Sequence, residues 1–322
     1  MKMLMSMNQK ECLVSIILPV QGTAAELDGT IESVLAQSQA RWTMWLVESS
    51  DVRGEAARWA GRDERIRVVS HDGTGRGASL MAGLAKCRSP YTVFLDTEHR
   101  WAPNFLALTT GFLVANPLTD MVCMEPSLRV GSVPAVPHDR APLRAVLDLD
   151  GGLITAADVA GFEWRGGEWA EYLRWGEYTR MAVTLMTTDA AHALAPALAQ
   201  EGAALDYRLQ ASLAQAFQVN LLGLQGAVRK PAMVSQAAAL RHEVDALAVF
   251  DAVFGRRYEV EAELDTLRRE RLARIRHLSG ERDSGRGPLS RLRDWVAMLR
   301  SALVPAPTPR HLMDTVTGQL AR

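Results

Sequence analysis

Two carboxylates one residue apart, Asp96 and Glu98, follow directly on the apolar run Tyr91-Thr92-Val93-Phe94-Leu95. A β-branched and aromatic run of that length reads as a buried strand, and open α/β sheets hold their ligands at the carboxyl ends of such strands. Hard cations such as Mg²⁺ and Mn²⁺ take oxygen ligands, usually one or two carboxylates plus substrate phosphates. An Asp-x-Glu pair at a strand end therefore has the chemistry to bridge a divalent cation to a nucleotide diphosphate. The plainer role for the same residues is structural, with Asp96 capping the next helix and Glu98 solvated.

The elements that must position this pair are legible upstream and downstream of it. From Leu13 to about Pro126, short apolar runs alternate with amphipathic helical patterns, the signature of βαβ units and a mostly parallel sheet. The reading places strands at Leu13 to Pro19, Trp42 to Val47, Ile66 to Ser70, Tyr91 to Leu95 and Asp120 to Glu125. Leu27, Ile31, Val34 and Leu35 form the apolar stripe of a helix after the first strand. Gly54 to Ala60 reads as a short helix, and a loop with Gly73, Gly75 and Gly77 leads into a helix from Ala78 to Lys86. Another helix is expected from Pro103 to Val114. Pro134, Pro137 and Pro142 make Ser127 to Asp150 read as loop. The segment with Trp164, Trp169 and Trp175 has no firm assignment. Further on, Met181 to Thr187 reads as a strand, and helices are expected at Leu205 to Phe217, Leu240 to Phe254, Val260 to Ile275 and Leu289 to Leu303.

Composition sets outer bounds. With 322 residues, 48% hydrophobic and 23% charged, the chain has material for one large domain plus an appendage. Cys12, Cys87 and Cys123 are too few and too scattered for a disulfide framework or zinc site, and read as small buried hydrophobes. Neither a signal-peptide core nor a run of 18 apolar residues is present, so the expectation is a cytoplasmic protein. A net charge of −1 gives no field to recruit nucleic acid. The charge is uneven, however: Thr266 to Arg300 carries ten Arg against four acidic residues, which marks the C-terminal segment as a separate unit.

Several of these segments, in order and at ordinary separations, resemble family 2 glycosyltransferases of the GT-A fold, over about Leu13 to Gln236. Val14-Ser15-Ile16-Ile17-Leu18-Pro19-Val20 matches the family's opening strand, and Ser33-Val34-Leu35-Ala36-Gln37-Ser38 matches its S-V-L-x-Q-S helix end. Trp101-Ala102-Pro103-Asn104-Phe105-Leu106 matches the W-x-P-x-x-L that follows the acidic pair. The resemblance implies a GT-A type, Rossmann-like mixed sheet flanked by helices over 1–236, with a helical extension over 237–322. It implies an inverting transfer of sugar from a nucleotide-diphosphate donor, a UDP-sugar first, to an acceptor hydroxyl in cell-surface glycan or polysaccharide synthesis. Asp96 and Glu98 would then hold Mn²⁺ or Mg²⁺. Pro19, Gln21, Glu48, Gly75, Arg76, Asp96, Arg229 and Lys230 would line the nucleotide sugar, and Asp206 would be the catalytic base.

Departures from the family pattern stand beside these matches. Glu48-Ser49 replaces an Asp pair whose member reads the nucleotide base, and Gly75-Arg76-Gly77 to Gly83 keeps the glycines of a family loop but loses its Arg and Asn. Leu205 replaces the Glu before the base, Arg229-Lys230 stands in a variant of a diphosphate-covering loop, and His99 follows the acidic pair where an acid is commoner. Nothing in the sequence explains His99, which reads as a cap or surface residue. A catalytically silent GT-A scaffold is the alternative these departures favour. A dinucleotide-binding dehydrogenase is disfavoured because no G-x-G-x-x-G follows the first strand. The basic amphipathic pattern over 289–303, with Leu292, Trp295, Val296 and Leu299 on one face, suits packing on the domain, a homo-oligomer contact, or an anionic membrane surface carrying a lipid-linked acceptor.

Overall fold

The computed structural model describes residues 12–50, 52, 54, 56–126, 143–149, 152–164, 180–200, 202–214, 219–229, 235–255 and 261–279. They fall into two compact units, the first made of the described residues within 1–165, 179–199 and 217–231 and the second of those within 200–216 and 232–322.

In the first unit β1 (Val14–Pro19), α1 (Ala24–Leu35), β2 (Trp42–Ser49), α2 (Ala57–Ala60), β3 (Ile66–His71), α3 (Gly75–Leu84) and β4 (Tyr91–Phe94) alternate along the chain. Every residue of β1 is buried, as a strand in the middle of a parallel sheet covered on both faces must be. It pairs in parallel with β2, Val14 opposite Trp42, and with β4, Val14 opposite Tyr91; β2 pairs in parallel with β3. Helix α1 begins at a capping box: Thr23 Oγ1 accepts the Glu26 N–H and the Glu26 carboxylate accepts the Thr23 N–H. Its buried face is Leu27, Thr30, Ile31 and Val34, the stripe read from the sequence with a threonine inside it.

The chain continues through β5 (His99–Trp101), α4 (Phe105–Ala115), β6 (Met121–Pro126), β7 (Leu143–Leu149) and β8 (Gly152–Trp164). After a 3₁₀ turn at Met181–Val183 come β9 (Thr184–Thr187), α5 (Thr188–Ala193), α6 (Ala195–Leu198) and finally β10 (Val219–Arg229). The strand order is β3-β2-β1-β4-β9-β6-β10-β8-β7, with β5 also paired to β10. Because β9 runs antiparallel to both β4 and β6, the sheet is mixed. The core beneath it is apolar, built on Ile16, Leu18, Met44, Leu46, Val93, Trp101, Phe105 and Phe112 among others.

Three expectations need correction. The proline-marked stretch 127–150 contains β7 at its end, and β8 and β10 are strands that the sequence did not reveal. β8 is rich in Ala and Gly, poor strand formers, and exists through its antiparallel pairing with β7 and β10 rather than through propensity. Met181–Val183 is a 3₁₀ turn and not the start of a strand. Cys87 and Cys123 are buried as expected, whereas Cys12 is only partly so.

The second unit is helical among its described residues: α7 (Leu205–Ala214), α8 (Gln236–Phe254) and α9 (Ala262–Ser279). Ser235 caps α8 by accepting the Ala238 N–H. Val244, Leu247 and Ile275 form the apolar seam between α8 and α9, flanked by Leu240 and Leu272. Arg268 donates to both oxygens of buried Asp251, at 2.9 and 3.0 Å, a fork-to-carboxylate geometry that fixes the register of the pair. Arg271 lies over the rings of Tyr207 and Phe250, 5.2 and 5.6 Å from their centroids, and so joins α7 to both long helices. No helix among the described residues is long and apolar enough to cross a membrane.

Candidate functional site

Chain order along the parallel part of the sheet moves from β1 outward to β2 and β3, then returns to place β4 on the other side of β1. At such a switch the loops leaving neighbouring strands part in opposite directions and open a crevice at their carboxyl ends. Here the crevice-forming segments are Val20 to Thr23 after β1 and Leu95 to Glu98 after β4. They approach closely: a Cβ added to Gly22, whose φ is +78°, would stand 3.3 Å from Thr97 Oγ1 and 2.8 Å from Glu26 Oε2. Pro19 is the buried last residue of β1, and Gln21 is exposed in the loop beyond it.

Asp96 is the most constrained group of this region. Its Oδ1 accepts the Glu98 N–H at 3.0 Å and the His99 Nδ1–H at 2.6 Å, while its Oδ2 lies 3.9 Å from Arg76 Nη2. Burial pushes the carboxyl upward, but the His99 hydrogen bond and charge, Arg76 and the Glu98 N–H together outweigh it and hold the pKa down at about 2. Asp96 is thus a carboxylate at any physiological pH. Neither oxygen caps helix α4, so the plain capping role read for it is replaced by this local turn. Glu98, on the same turn, is partly buried.

Arg76 reaches Asp96 because α3 starts earlier than the periodicity implies. Gly75, at φ +81°, is the first residue of the helix, so Gly75 and Arg76 occupy its first turn and not a loop. His71 at the end of β3 pins this junction through a 2.9 Å hydrogen bond between Nε2 and Ser79 Oγ.

Glu48, expected against the nucleotide base, is 3% exposed, and both its oxygens accept backbone N–H groups: Oε2 from Gly54 at 3.0 Å and Oε1 from Ala56 at 2.6 Å. It staples the loop that leaves β2. Replacing it with alanine strips the acceptor from the buried Ala56 N–H, and urea unfolding of Glu48→Ala should show a loss of about 1–3 kcal/mol. A change below a few tenths would mean that the staple is not formed.

His99 corrects the surface reading. It is 1% exposed, and its carbonyl accepts the hydroxyl of Thr30 from α1 at 2.9 Å. The same Thr30 hydroxyl lies 3.2 Å from the Thr97 carbonyl. In the β5–β10 ladder His99 stands opposite Arg229. The described backbone ends β10 at Arg229; its side chain and Lys230 lie outside the described residues, as does the 289–303 segment. Asp206, in the second unit, is 8% exposed in the first turn of α7. Thr30, His71, Ser79 and the buried role of His99 were not foreseen, and a buried threonine inside the apolar stripe of α1 was the one available signal.

Among the described residues no three His, Cys, Asp or Glu side chains converge as a metal cage. The residues nevertheless fit a hard cation held mainly by substrate: one carboxylate on the turn, Glu98, beside a second, ionised one, with phosphate and water oxygens completing the shell.

Residues 15–143 match the profile of Glycosyl transferase family 2. TuaG of Bacillus subtilis (strain 168), named for teichuronic acid biosynthesis, is 28% identical over 106 residues, 32% of this chain and 42% of TuaG. The uncharacterized protein y4gI of Sinorhizobium fredii is 31% identical over 111 residues, 33% of this chain and 12% of y4gI. The match thus spans under half the length of these curated relatives. Two solved structures share the fold: the mannosyltransferase PcManGT of Pyrobaculum calidifontis, in complex with GDP-Man and Mn²⁺, and TarS 1-349 of S. aureus, in complex with UDP. The first has TM-score 0.52 at 14% identity, covering 96% of this chain and 87% of the other. The second has TM-score 0.50 at 14% identity, covering 88% and 78%. The fold is that of GT-A glycosyltransferases. By sequence, the similarity to glycosyl transferase family 2 covers residues 15–143.

Proposed function

We propose that the chain transfers a sugar from a nucleotide-diphosphate donor to an acceptor hydroxyl, with inversion and with a divalent cation, in the synthesis of a cell-surface glycan. The observation that carries this is an ionised Asp96 with Arg76 and Glu98 at the strand-order switch of a GT-A sheet, within the family 2 region. The solved neighbours bear on the donor, being complexes with GDP-Man and Mn²⁺ and with UDP, and a further TarS structure contains UDP-GlcNAc. TuaG bears on the pathway, through its name.

Glu98, assisted by Asp96, would hold Mn²⁺ or Mg²⁺ together with the donor phosphates. A cation there neutralises the charge that develops on the departing diphosphate. Arg76 contributes fixed positive charge beside Asp96, and Arg229 and Lys230 are assigned to the diphosphate, where a guanidinium fork suits phosphate geometry. Pro19, Gln21 and Gly75 are assigned to the nucleotide. Asp206 is the general base that takes the acceptor proton as the oxygen attacks the anomeric carbon.

The test is a panel of UDP-, GDP-, CDP- and dTDP-sugars, with UDP-sugars first, scored for thermal stabilisation and for hydrolysis with and without Mn²⁺. One preferred donor with metal-dependent turnover is the expected result, and silence across the panel defeats the reading. Glu98→Ala should lower nucleotide affinity in Mn²⁺ by on the order of tenfold while leaving affinity in chelator unchanged. Calorimetry under the two conditions checks it, and equal loss in both would remove Glu98 from the metal.

A further inference from the structure

The residue that the resemblance leaves unexplained, His99, has a specific place in the geometry. Its Nδ1 lies 2.6 Å from Asp96 Oδ1. A carboxylate only accepts, so Nδ1 carries the proton and His99 is the donor. The imidazole cannot turn away, because His99 is 1% exposed and its strand is held by β10 on one side and by the Thr30 hydroxyl on its carbonyl. Asp96, by contrast, lies beyond the end of β4, outside any ladder, and its remaining side-chain restraint on Oδ1 is the Glu98 N–H. Occupying Oδ1 from the buried side leaves Oδ2 as the oxygen turned toward Arg76. His99 Nε2 is buried and makes no hydrogen bond among the described residues. The bond that the described residues give this ring is the one Nδ1 makes to Asp96.

We propose that His99 is a positioning residue that locks the Asp96 carboxylate so that Oδ2 faces the Arg76 side, where the nucleotide sugar binds. This rests on the donor-site reading above and deepens it. His99 itself touches no substrate; it acts through Asp96.

Two measurements test it. The first needs no activity: ¹⁵N spectra of the imidazoles in the full chain should show His99 protonated at Nδ1, and Asp96→Asn should move that signal. A proton on Nε2 in its place overturns the proposal. The second uses nucleotide diphosphate as the probe. His99→Leu, which keeps bulk and loses the donor, should weaken binding on the order of tenfold and raise the donor KM more than it lowers kcat. His99→Asn, whose side-chain amide can donate to the same oxygen, should recover most of that loss. Unchanged affinity in His99→Leu, or equal loss in both variants tracking thermal midpoint alone, reduces His99 to a structural residue and overturns the proposal. If the wild-type chain binds no nucleotide diphosphate, the donor-site reading falls and the functional half of this proposal falls with it, while the imidazole spectrum still decides the hydrogen bond.

Discussion

Asp206→Asn should lose about 10² to 10⁴ in turnover while binding nucleotide sugar as the wild type does. The two side chains have nearly the same volume, and Asp206 is buried at 8% in the first turn of α7, so the amide fits where the carboxylate stood. What it cannot do is accept the acceptor's proton as the C–O bond forms. A base acts on the acceptor and not on the nucleotide, so the loss belongs in kcat, with donor affinity by calorimetry unchanged. The paired measurement guards against the trivial outcome. A protein that has lost both was misfolded, which its thermal midpoint would reveal. Equal turnover in the variant removes the base from Asp206 and leaves a sheet that binds donor without an assigned catalyst.

The first unit solves one physical problem repeatedly. Loops at the carboxyl edge of a parallel sheet are the chain segments with the fewest ladder bonds, yet they must hold charged groups in place. Each is tied by a side chain at or beyond its strand end. Thr23 and Glu26 close the loop after β1, Glu48 the one after β2, His71 with Ser79 the one after β3, and His99 the one after β4. In each case a backbone or side-chain polar group finds its partner within the protein, so the path of the loop is held by local hydrogen bonds.

How much of this was readable follows from what each feature depends on. β1 and β4 are apolar runs buried on almost every residue, and β2 is one with its Trp42, Met44 and Leu46 face buried, burial that is written in composition and spacing alone. The Asp96–Glu98 pair was readable because it sits at the end of one such run. β8 was not, because a strand rich in Ala and Gly is made by its partners and not by its own preferences, and β10 was not, because Gly223 and Gly226 interrupt its Leu and Val run. The position of α3 was missed by three residues because a positive-φ glycine, Gly75, opens the helix where the apolar period had not yet begun. Glu48 was assigned outward from its place in a motif, but its carboxylate turns to N–H groups six and eight residues on, which no local pattern encodes. His99 was misjudged for the same reason: its partners, Asp96 and Thr30, are brought together only by the β4 turn and α1.

Gly83→Leu should destabilise the first unit severely, and Gly83→Ala by about 1–3 kcal/mol in denaturant unfolding. Helix propensity argues the other way, since alanine gains about 1 kcal/mol over glycine inside a helix. Packing decides the sign. A Cβ at Gly83 would lie 2.4 Å from Ile17 Cγ2 and 3.0 Å from Val47 Cγ2. Both residues are fully buried strand positions with β-branched side chains that have few rotamers to retreat into. α3 must therefore lift from β1 and β2 to admit the methyl group. Gly77 makes the sharper case: its Cβ would meet the Leu198 carbonyl oxygen at 2.2 Å, and a backbone atom cannot rotate aside. Gly77→Ala should thus cost at least as much as Gly83→Ala, although it lies in the first turn of the helix, where propensity matters less. Gly75→Ala separates strain from crowding, because nothing lies within 4 Å of its Cβ and its penalty comes from φ +81° alone, about 1–2 kcal/mol. Since α3 carries Arg76 to Asp96, the two crowded variants should also weaken nucleotide binding in proportion to their stability loss. A Gly83→Ala protein as stable as wild type would mean that α3 does not sit on β1 and β2 as closely as Gly83 allows.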